Sequence, residues 1–143
     1  MLNPYAQSAK QYQKQQVETA SPEELLLLMY DGAIRFLNVA RKSMEEKNIE
    51  KSHNNLIRAQ HIVTELMASL DMEIGGEVAQ NLFRLYDYLH YRLVQANIKK
   101  DTAMIDEVLT HLRSLKETWE QAIKIAHQER QQAPDVEAKQ YSA

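Results

Sequence analysis

The chain has 143 residues, no cysteine and a formal net charge of −3 at pH 7. The lack of cysteine excludes disulfides, thiolate nucleophiles and zinc sites built on sulfur. A slightly acidic chain also lacks the basic character that binding to a nucleic-acid backbone requires. No apolar run approaches the roughly 18 residues needed to cross a bilayer, and no secretion signal is visible at the N-terminus. We therefore expect a soluble, cytoplasmic domain that neither binds nucleic acid nor inserts into a membrane.

The first 20 residues form a polar segment in which aromatic side chains recur. Residues 7–16 include five glutamines, whereas Tyr5, Tyr12 and Val17 are the larger apolar side chains around them. Two interpretations remain open: an N-terminal arm or short helix that docks in a groove, or a frayed terminus with exposed tyrosines. We treat residues 1–20 as a separate arm.

The first long helix is predicted to begin at Ser21, which can cap it, with Pro22 at its first position. We expect it to reach about residue 47. Its residues 25–30 are continuously apolar: Leu, Leu, Leu, Leu, Met and Tyr. A helix that is apolar around its whole circumference must be covered on every side. The cover could come from the N-terminal arm or from another protein.

Three more helices are predicted by apolar residues spaced three and four apart. Asn48 caps the second helix, which stops near residue 71, before Gly75 and Gly76. The third helix spans residues 77–98. Asp101 caps the fourth helix, which runs to about residue 130. The core stripe of the second helix is Leu56, Ala59, Val63, Leu66 and Leu70. That of the third is Val78, Leu82, Leu85, Tyr86, Leu89, Leu93 and Ala96. That of the fourth is Ile105, Val108, Leu109, Leu112, Leu115, Trp119, Ala122, Ile123 and Ala126.

Four helices joined by short connections predict an all-α fold, an antiparallel up-down-up-down four-helix bundle over residues 21–130. Residues 131–143 are polar, contain Pro134 and lose the helical period, so we expect a disordered tail.

The sequence offers little that could support chemistry. A di-iron bundle needs Glu-x-x-His pairs facing its core; Glu50 and His53 have that spacing, but they lie in the first turn of the second helix, outside its apolar stripe. None of the five histidines has the neighbours typical of a phosphotransfer site. No nucleophile elbow, phosphate-binding loop or zinc-protease motif occurs. We therefore predict no enzyme, no catalytic residue, no cofactor and no metal.

Several apolar side chains lie outside the predicted core stripes. They are Leu28 on the first helix, Ile57 and Ile62 on the second, and Phe83, Tyr88, Tyr91 and Val94 on the third. Exposed apolar patches often mark a partner site, and a groove between helices accepts an amphipathic segment well. The alternative is that the first helix is simply the most central and that the arm covers the remaining patches.

One family combines these features. Residues 17–33 read Val-Glu-Thr-Ala-Ser-Pro-Glu-Glu-Leu-Leu-Leu-Leu-Met-Tyr-Asp-Gly-Ala, and Tyr5 and Tyr12 precede them. Further along the chain are Arg58-Ala59-Gln60, Glu65-Leu66, Asn81-Leu82, Leu85-Tyr86, Ala96-Asn97 and a single Trp119. Over about residues 5–126 the sequence resembles the FliS family of flagellar secretion chaperones.

The resemblance implies a cytoplasmic four-helix chaperone that binds the disordered C-terminal segment of flagellin and prevents its premature polymerisation. It also implies that the complex is delivered to the export gate protein of the flagellar type III secretion apparatus, with other flagellar regulators as further candidate partners. Helical geometry places Leu28, Ile57, Ile62, Phe83, Tyr88 and Tyr91 in the flagellin-binding surface. The family motif adds Tyr5, Tyr12 and Tyr86, with Tyr12 competing for one pocket. Two other classes remain open: a self-associating helical bundle, and a small-ligand or metal-binding bundle.

Overall fold

The computed structural model of this chain describes residue 11 and residues 14–132. Within that part it has four long helices, α1 (Pro22–Glu45), α2 (Ile49–Ala68), α3 (Gly76–Lys99) and α4 (Thr102–Gln132). Residues 14–19 form a short helical segment before α1, and the described residues contain no strand. The all-α prediction is confirmed. Tyr5 and Tyr12 lie outside the described residues, as does the predicted tail beyond residue 132.

The helix starts follow the capping residues that the sequence marks. The Ser21 hydroxyl oxygen accepts a hydrogen bond from the Glu24 N–H at 3.1 Å, with Pro22 at the first helical position. The Asn48 side chain caps α2 in the same way by accepting from the Lys51 N–H at 3.2 Å. Each bond satisfies one of the N–H groups that a helix start leaves unpaired.

The turn between α2 and α3 differs slightly from the prediction, because α3 includes Gly76. Gly76 has φ +53°, a left-handed conformation that glycine adopts without strain. Gly75 is required for another reason: a Cβ there would lie 2.7 Å from the backbone oxygen of Asp71 and 2.6 Å from Cβ of Ala79. The turn is therefore too crowded at Gly75 for any side chain.

Side-chain contacts show that neighbouring helices run in opposite directions. In three pairs of adjacent helices, residues late in one helix contact residues early in the other. In the fourth pair, α1 and α2, the contact joins the middle of one helix to the middle of the other. These contacts are Arg41–Asp106 and Glu23–Arg130 between α1 and α4, Arg92–Glu107 between α3 and α4, His53–Asn97 between α2 and α3, and Phe36–Arg58 between α1 and α2. The helices thus form the predicted antiparallel bundle, with α4 returning to α1.

The core runs along the bundle axis and contains side chains from all four helices. Its fully buried residues of larger volume are Tyr30, Leu37, Leu56, Val63, Leu66, Tyr86, Leu89, Leu93, Ile105, Val108 and Leu112. The stripe predicted for α2 is buried as far as Leu66. The stripe of α4 is fully buried only as far as Leu112, whereas Leu115 and Trp119 are partly buried and pack against the core. Val78, predicted to be in the core, is 67% exposed.

Candidate interaction surface

The apolar run of α1 is only partly inside the bundle. Tyr30 is fully buried, whereas residues 25–29 are half-buried or exposed. Part of this outer face is covered by the preceding helical segment, since Gln16 and Val17 line a hollow together with Leu28. The chain's own residues 14–19 therefore supply some of the cover that the sequence requires.

Two of the predicted residues lie along the outer side of the seam between α1 and α2, where the two helices meet. We call this side of the seam the α1/α2 groove and define it by Leu28, Gly32 and Phe36 of α1 and Arg58 and Ile62 of α2. A Cβ placed on Gly32 would lie 3.2 Å from Cδ1 of Ile62, so the two helices approach closely at this point. Leu28 lies one turn before Gly32, and both line the hollow between α1 and the N-terminal segment. Leu28 and Ile62 are both partly buried and partly accessible.

Ile57 and Phe83 lie on a second side of the bundle, between α2 and α3. The Asn97 side-chain nitrogen and Nδ1 of His53 lie 2.8 Å apart and mark this seam. Ile57 is one turn from His53, and Phe83 is four turns from Asn97, so helical periodicity puts both on the same seam. Phe83 is 41% exposed, and Ile57 is half-buried.

Tyr88 and Tyr91 lie on the outer surface of α3. Tyr88 is on the side that faces α4. The Tyr88 hydroxyl donates to a carboxylate oxygen of Glu107, and Arg92 donates to the other oxygen at 2.7 and 3.0 Å. The bond from Tyr88, assisted by Arg92, lowers the pKa of Glu107 below its usual value. Tyr91 accepts a hydrogen bond from Gln95 at 2.9 Å and is 57% exposed. Both rings are thus accessible to a partner.

Tyr86 is a core residue in this structure, which corrects its placement on the surface. It is 1% exposed, and its hydroxyl oxygen lies 2.5 Å from that of Tyr30. The indole nitrogen of Trp119 donates to the Tyr30 hydroxyl at 3.1 Å, so the three side chains form one hydrogen-bonded network. Desolvation raises the pKa of both tyrosines, and both hydroxyls therefore stay protonated at neutral pH. A partner could not reach Tyr86 without opening the bundle.

The sequence stripes missed one apolar hollow, between the start of α3 and the second half of α4. It has a volume of about 250 Å³ and is lined by Val78, Leu82, Leu115, Thr118, Trp119 and Ala122. All of them except Thr118 were predicted to lie in the core, because their spacing is regular. The periodicity of each helix gave no signal of this exposure, because it depends on how α3 and α4 meet.

No group of three or more histidine and acidic side chains among residues 14–132 is arranged to hold a metal ion. His53 contacts Asn97, and His127 lies 3.2 Å from a carboxylate oxygen of Glu23. Among residues 14–132, none of the helices has the length and apolar character needed to span a membrane.

These features define a class of protein, a helical bundle with accessible apolar side chains on several of its sides. A profile of the family described as "Flagellar protein FliS" matches residues 5–126. The flagellar secretion chaperone FliS of Bacillus subtilis is 39% identical over 128 residues, covering 90% of this chain and 92% of that protein. The protein of the same name from Salmonella typhimurium is 41% identical over 106 residues, covering 73% of this chain and 78% of its own length.

A crystal structure described as a flagellar chaperone from bacteria has the same fold, with a TM-score of 0.68 and 19% identity. It covers 85% of this chain and 98% of the other. The chain belongs to the FliS family of flagellar secretion chaperones.

Proposed function

We propose that the chain is a cytoplasmic export chaperone for flagellin. It binds the disordered C-terminal segment of flagellin, prevents premature polymerisation, and assists delivery of the complex to the export gate of the flagellar type III apparatus. The observation that supports this most directly is the position of the accessible apolar residues: they occupy the α1/α2 groove, the α2–α3 seam and the outer face of α3. Family membership supplies the flagellar context.

A surface spread over several sides suits an extended client better than a compact one. A disordered segment loses conformational entropy when it orders, and burial of roughly 1,000–3,000 Å² is typical of such binding. A client that passes from one seam to the next could reach this area. The contact residues we propose are Leu28, Ile57, Ile62, Phe83, Tyr88 and Tyr91, with Tyr5 and Tyr12 of the N-terminal arm competing for part of the surface.

The export gate protein is the proposed second partner, and it would receive the chaperone together with its client. Other flagellar regulators are candidates for the same surface. A self-associating bundle is the main alternative, because a homodimer could bury the same apolar residues. Sedimentation at several concentrations distinguishes the two, since only self-association depends on the concentration of the chain alone.

The direct test is a titration with a flagellin C-terminal segment, using aspartate substitutions in two different seams. We expect Ile62→Asp and Phe83→Asp each to weaken binding by about tenfold or more, because each places a charge where the client would bury an apolar contact. The matched control is Ile98→Asp: Ile98 is 75% exposed at the end of α3 and lies outside the proposed surface. Circular dichroism should remain helical in all three variants. Unaltered affinity of a folded Ile62→Asp or Phe83→Asp protein would remove that residue from the site.

A further inference from the structure

Two arginines flank one aromatic ring at the edge of the α1/α2 groove. The guanidinium carbons of Arg35 and Arg58 lie 5.3 and 5.6 Å from the centre of the Phe36 ring. These distances are within the range of a cation–π contact, which holds a charged head group over the ring face. The two cations therefore have a fixed position beside the apolar residues Gly32 and Ile62.

Neither guanidinium is neutralised by a carboxylate among residues 14–132. Of the five other arginines, three form ion pairs: Arg41 with Asp106, Arg92 with Glu107, and Arg130 with Glu23. Arg35 and Arg58 form no such pair in the described part of the chain, and both are exposed. The positive charge at this groove is thus available to a partner.

The positive charge continues along both helices. Lys42 lies two turns after Arg35, and Lys51 lies two turns before Arg58, so each lysine shares a helix face with its arginine. Because α1 and α2 are antiparallel, both lysines lie towards the same end of the groove. Lys51 and Arg58 also line an open polar hollow of about 390 Å³ with Asn48, Glu50, Asn54 and Asn55. We call Arg35, Lys42, Lys51 and Arg58 the basic stripe.

The described N-terminal residues 14–19 form no ion pair with this stripe. Residues 1–13 contain no aspartate or glutamate. The acidic residue nearest to them, Glu18, lies 3.9 Å from the ammonium group of Lys14. The arm could cover the apolar part of the groove near Leu28, but its one carboxylate, Glu18, lies beside Lys14 and forms no ion pair with Arg35 or Arg58. The positive charge is therefore available to a partner outside the described residues.

Resting on the proposed function, we propose that the α1/α2 groove selects a client segment in which carboxylate side chains follow apolar ones. The apolar side chains enter between Leu28 and Ile62. The carboxylates lie about one helical turn farther along, at Arg58 and Arg35, because one turn of α2 separates Ile62 from Arg58. A guanidinium can form two parallel hydrogen bonds to a carboxylate, which gives geometric selection as well as attraction.

A phosphate-rich partner fits less well than an acidic peptide. A polyanion needs an extended field of cations, whereas Glu50 lines the same hollow as Lys51 and Arg58. The chain as a whole carries a formal net charge of −3. A few carboxylates spaced between apolar residues match a short row of cations better than a continuous phosphate backbone does.

The test compares Arg35→Gln/Arg58→Gln with a matched pair, Arg84→Gln/Lys124→Gln. Arg84 and Lys124 are exposed cations of α3 and α4 with no ion pair among the described residues. Glutamine retains much of the aliphatic stem, and circular dichroism verifies the fold. In titrations with a flagellin C-terminal segment at low salt, we expect the first pair to weaken binding about tenfold or more and the control pair to have little effect. The difference should shrink at high salt, because these contacts are exposed.

A second client segment has its aspartates and glutamates replaced by asparagine and glutamine. Its affinity for the wild-type chain should be as low as the affinity of the unmodified client for Arg35→Gln/Arg58→Gln. The two changes together should then cause little further loss, which is the signature of a direct pair. Unchanged affinity and salt dependence in Arg35→Gln/Arg58→Gln, with Ile62→Asp still abolishing binding, overturns this inference and leaves the proposed function intact. A wild-type chain that does not bind the flagellin segment overturns both. Displacement of the client by a single-stranded oligonucleotide, dependent on the two arginines, overturns the inference in favour of a phosphate partner.

Discussion

The network of Tyr30, Tyr86 and Trp119 joins three helices by hydrogen bonds inside an otherwise apolar core. Tyr30 is its central member, because its hydroxyl contacts both the Tyr86 hydroxyl and the indole nitrogen of Trp119. A buried polar group without a partner costs about 1–3 kcal/mol, more than a satisfied hydrogen bond contributes. The network therefore favours one relative position of α1, α3 and α4 over others.

We expect Tyr30→Phe to lower the free energy of unfolding more than Tyr86→Phe does. The first change leaves both the Tyr86 hydroxyl and the Trp119 N–H without their partner, whereas the second leaves only the Tyr30 hydroxyl with one contact fewer. We expect about 1–3 kcal/mol for Tyr30→Phe and about 1 kcal/mol for Tyr86→Phe. Urea unfolding followed by circular dichroism measures both. The double variant should lose less than the sum of the two, and strict additivity would contradict the network.

Tyr86 also shows what a sequence can establish about a single residue. Its spacing put it in the core stripe of the third helix, whereas resemblance to the family put it on the binding surface. The burial of Tyr86 agrees with the spacing. Periodicity reports which face of a helix a residue lies on, but it cannot report that two hydroxyls from α1 and α3 meet, because residues 30 and 86 are distant in the sequence.

At the scale of the helices, α1 and α2 approach each other closely at Gly32, which lies in the interior of α1. Glycine inside a helix is less favourable than alanine by about 1 kcal/mol. A methyl group there would lie 3.2 Å from Cδ1 of Ile62, which is closer than a comfortable contact. The packing against Ile62 supplies a reason for a glycine at this position.

We expect Gly32→Ala to stabilise the bundle only when Ile62 is shortened. In the wild-type background the gain in helix propensity is offset by crowding against Ile62, so the free energy of unfolding should change by less than about 0.5 kcal/mol. In an Ile62→Val background, which removes Cδ1, the same change should stabilise by up to about 1 kcal/mol. Thermal unfolding of the four proteins measures the difference. Equal effects in the two backgrounds would show that Ile62 does not restrict Gly32.

Helix starts could be predicted better than the extent of the core. Ser21 and Asn48 are caps that act within a few residues of themselves, so the sequence alone identifies them. Trp119 and Ala122 continue a regular stripe, but whether they are covered depends on where α3 begins at the same end of the bundle. The sequence contains no local signal for that, because it is a relation between two helices.

For the whole molecule, the fold class followed from four periodic segments and short connections, whereas the surface did not. Leu28 and Ile62 belong to one groove, Ile57 and Phe83 to another seam, and Tyr91 to an outer face. Assigning apolar residues to a groove requires the order and direction of the helices around the axis. That order is visible only once cross-helix contacts such as His53–Asn97 are known.

We expect the N-terminal segment to compete with the proposed client for part of its binding surface. Gln16 and Val17 lie against the outer face of α1 beside Leu28, so the N-terminal segment covers part of the proposed surface. If this surface is open in only a fraction of the molecules, the apparent dissociation constant for the client equals the intrinsic one divided by that fraction. We therefore expect deletion of residues 1–16 to tighten binding of a flagellin C-terminal segment by about two- to tenfold.

The matched control lacks residues 133–143, a deletion of similar size that follows α4 and removes no described residue. Its affinity should equal that of the full chain, because α4 contacts α1 on the side away from the α1/α2 groove. Isothermal titration of the three proteins with the same flagellin segment measures the effect. Identical affinities would refute competition by the N-terminal segment. Weaker binding after deletion of residues 1–16 would mean that the segment holds the client instead of excluding it.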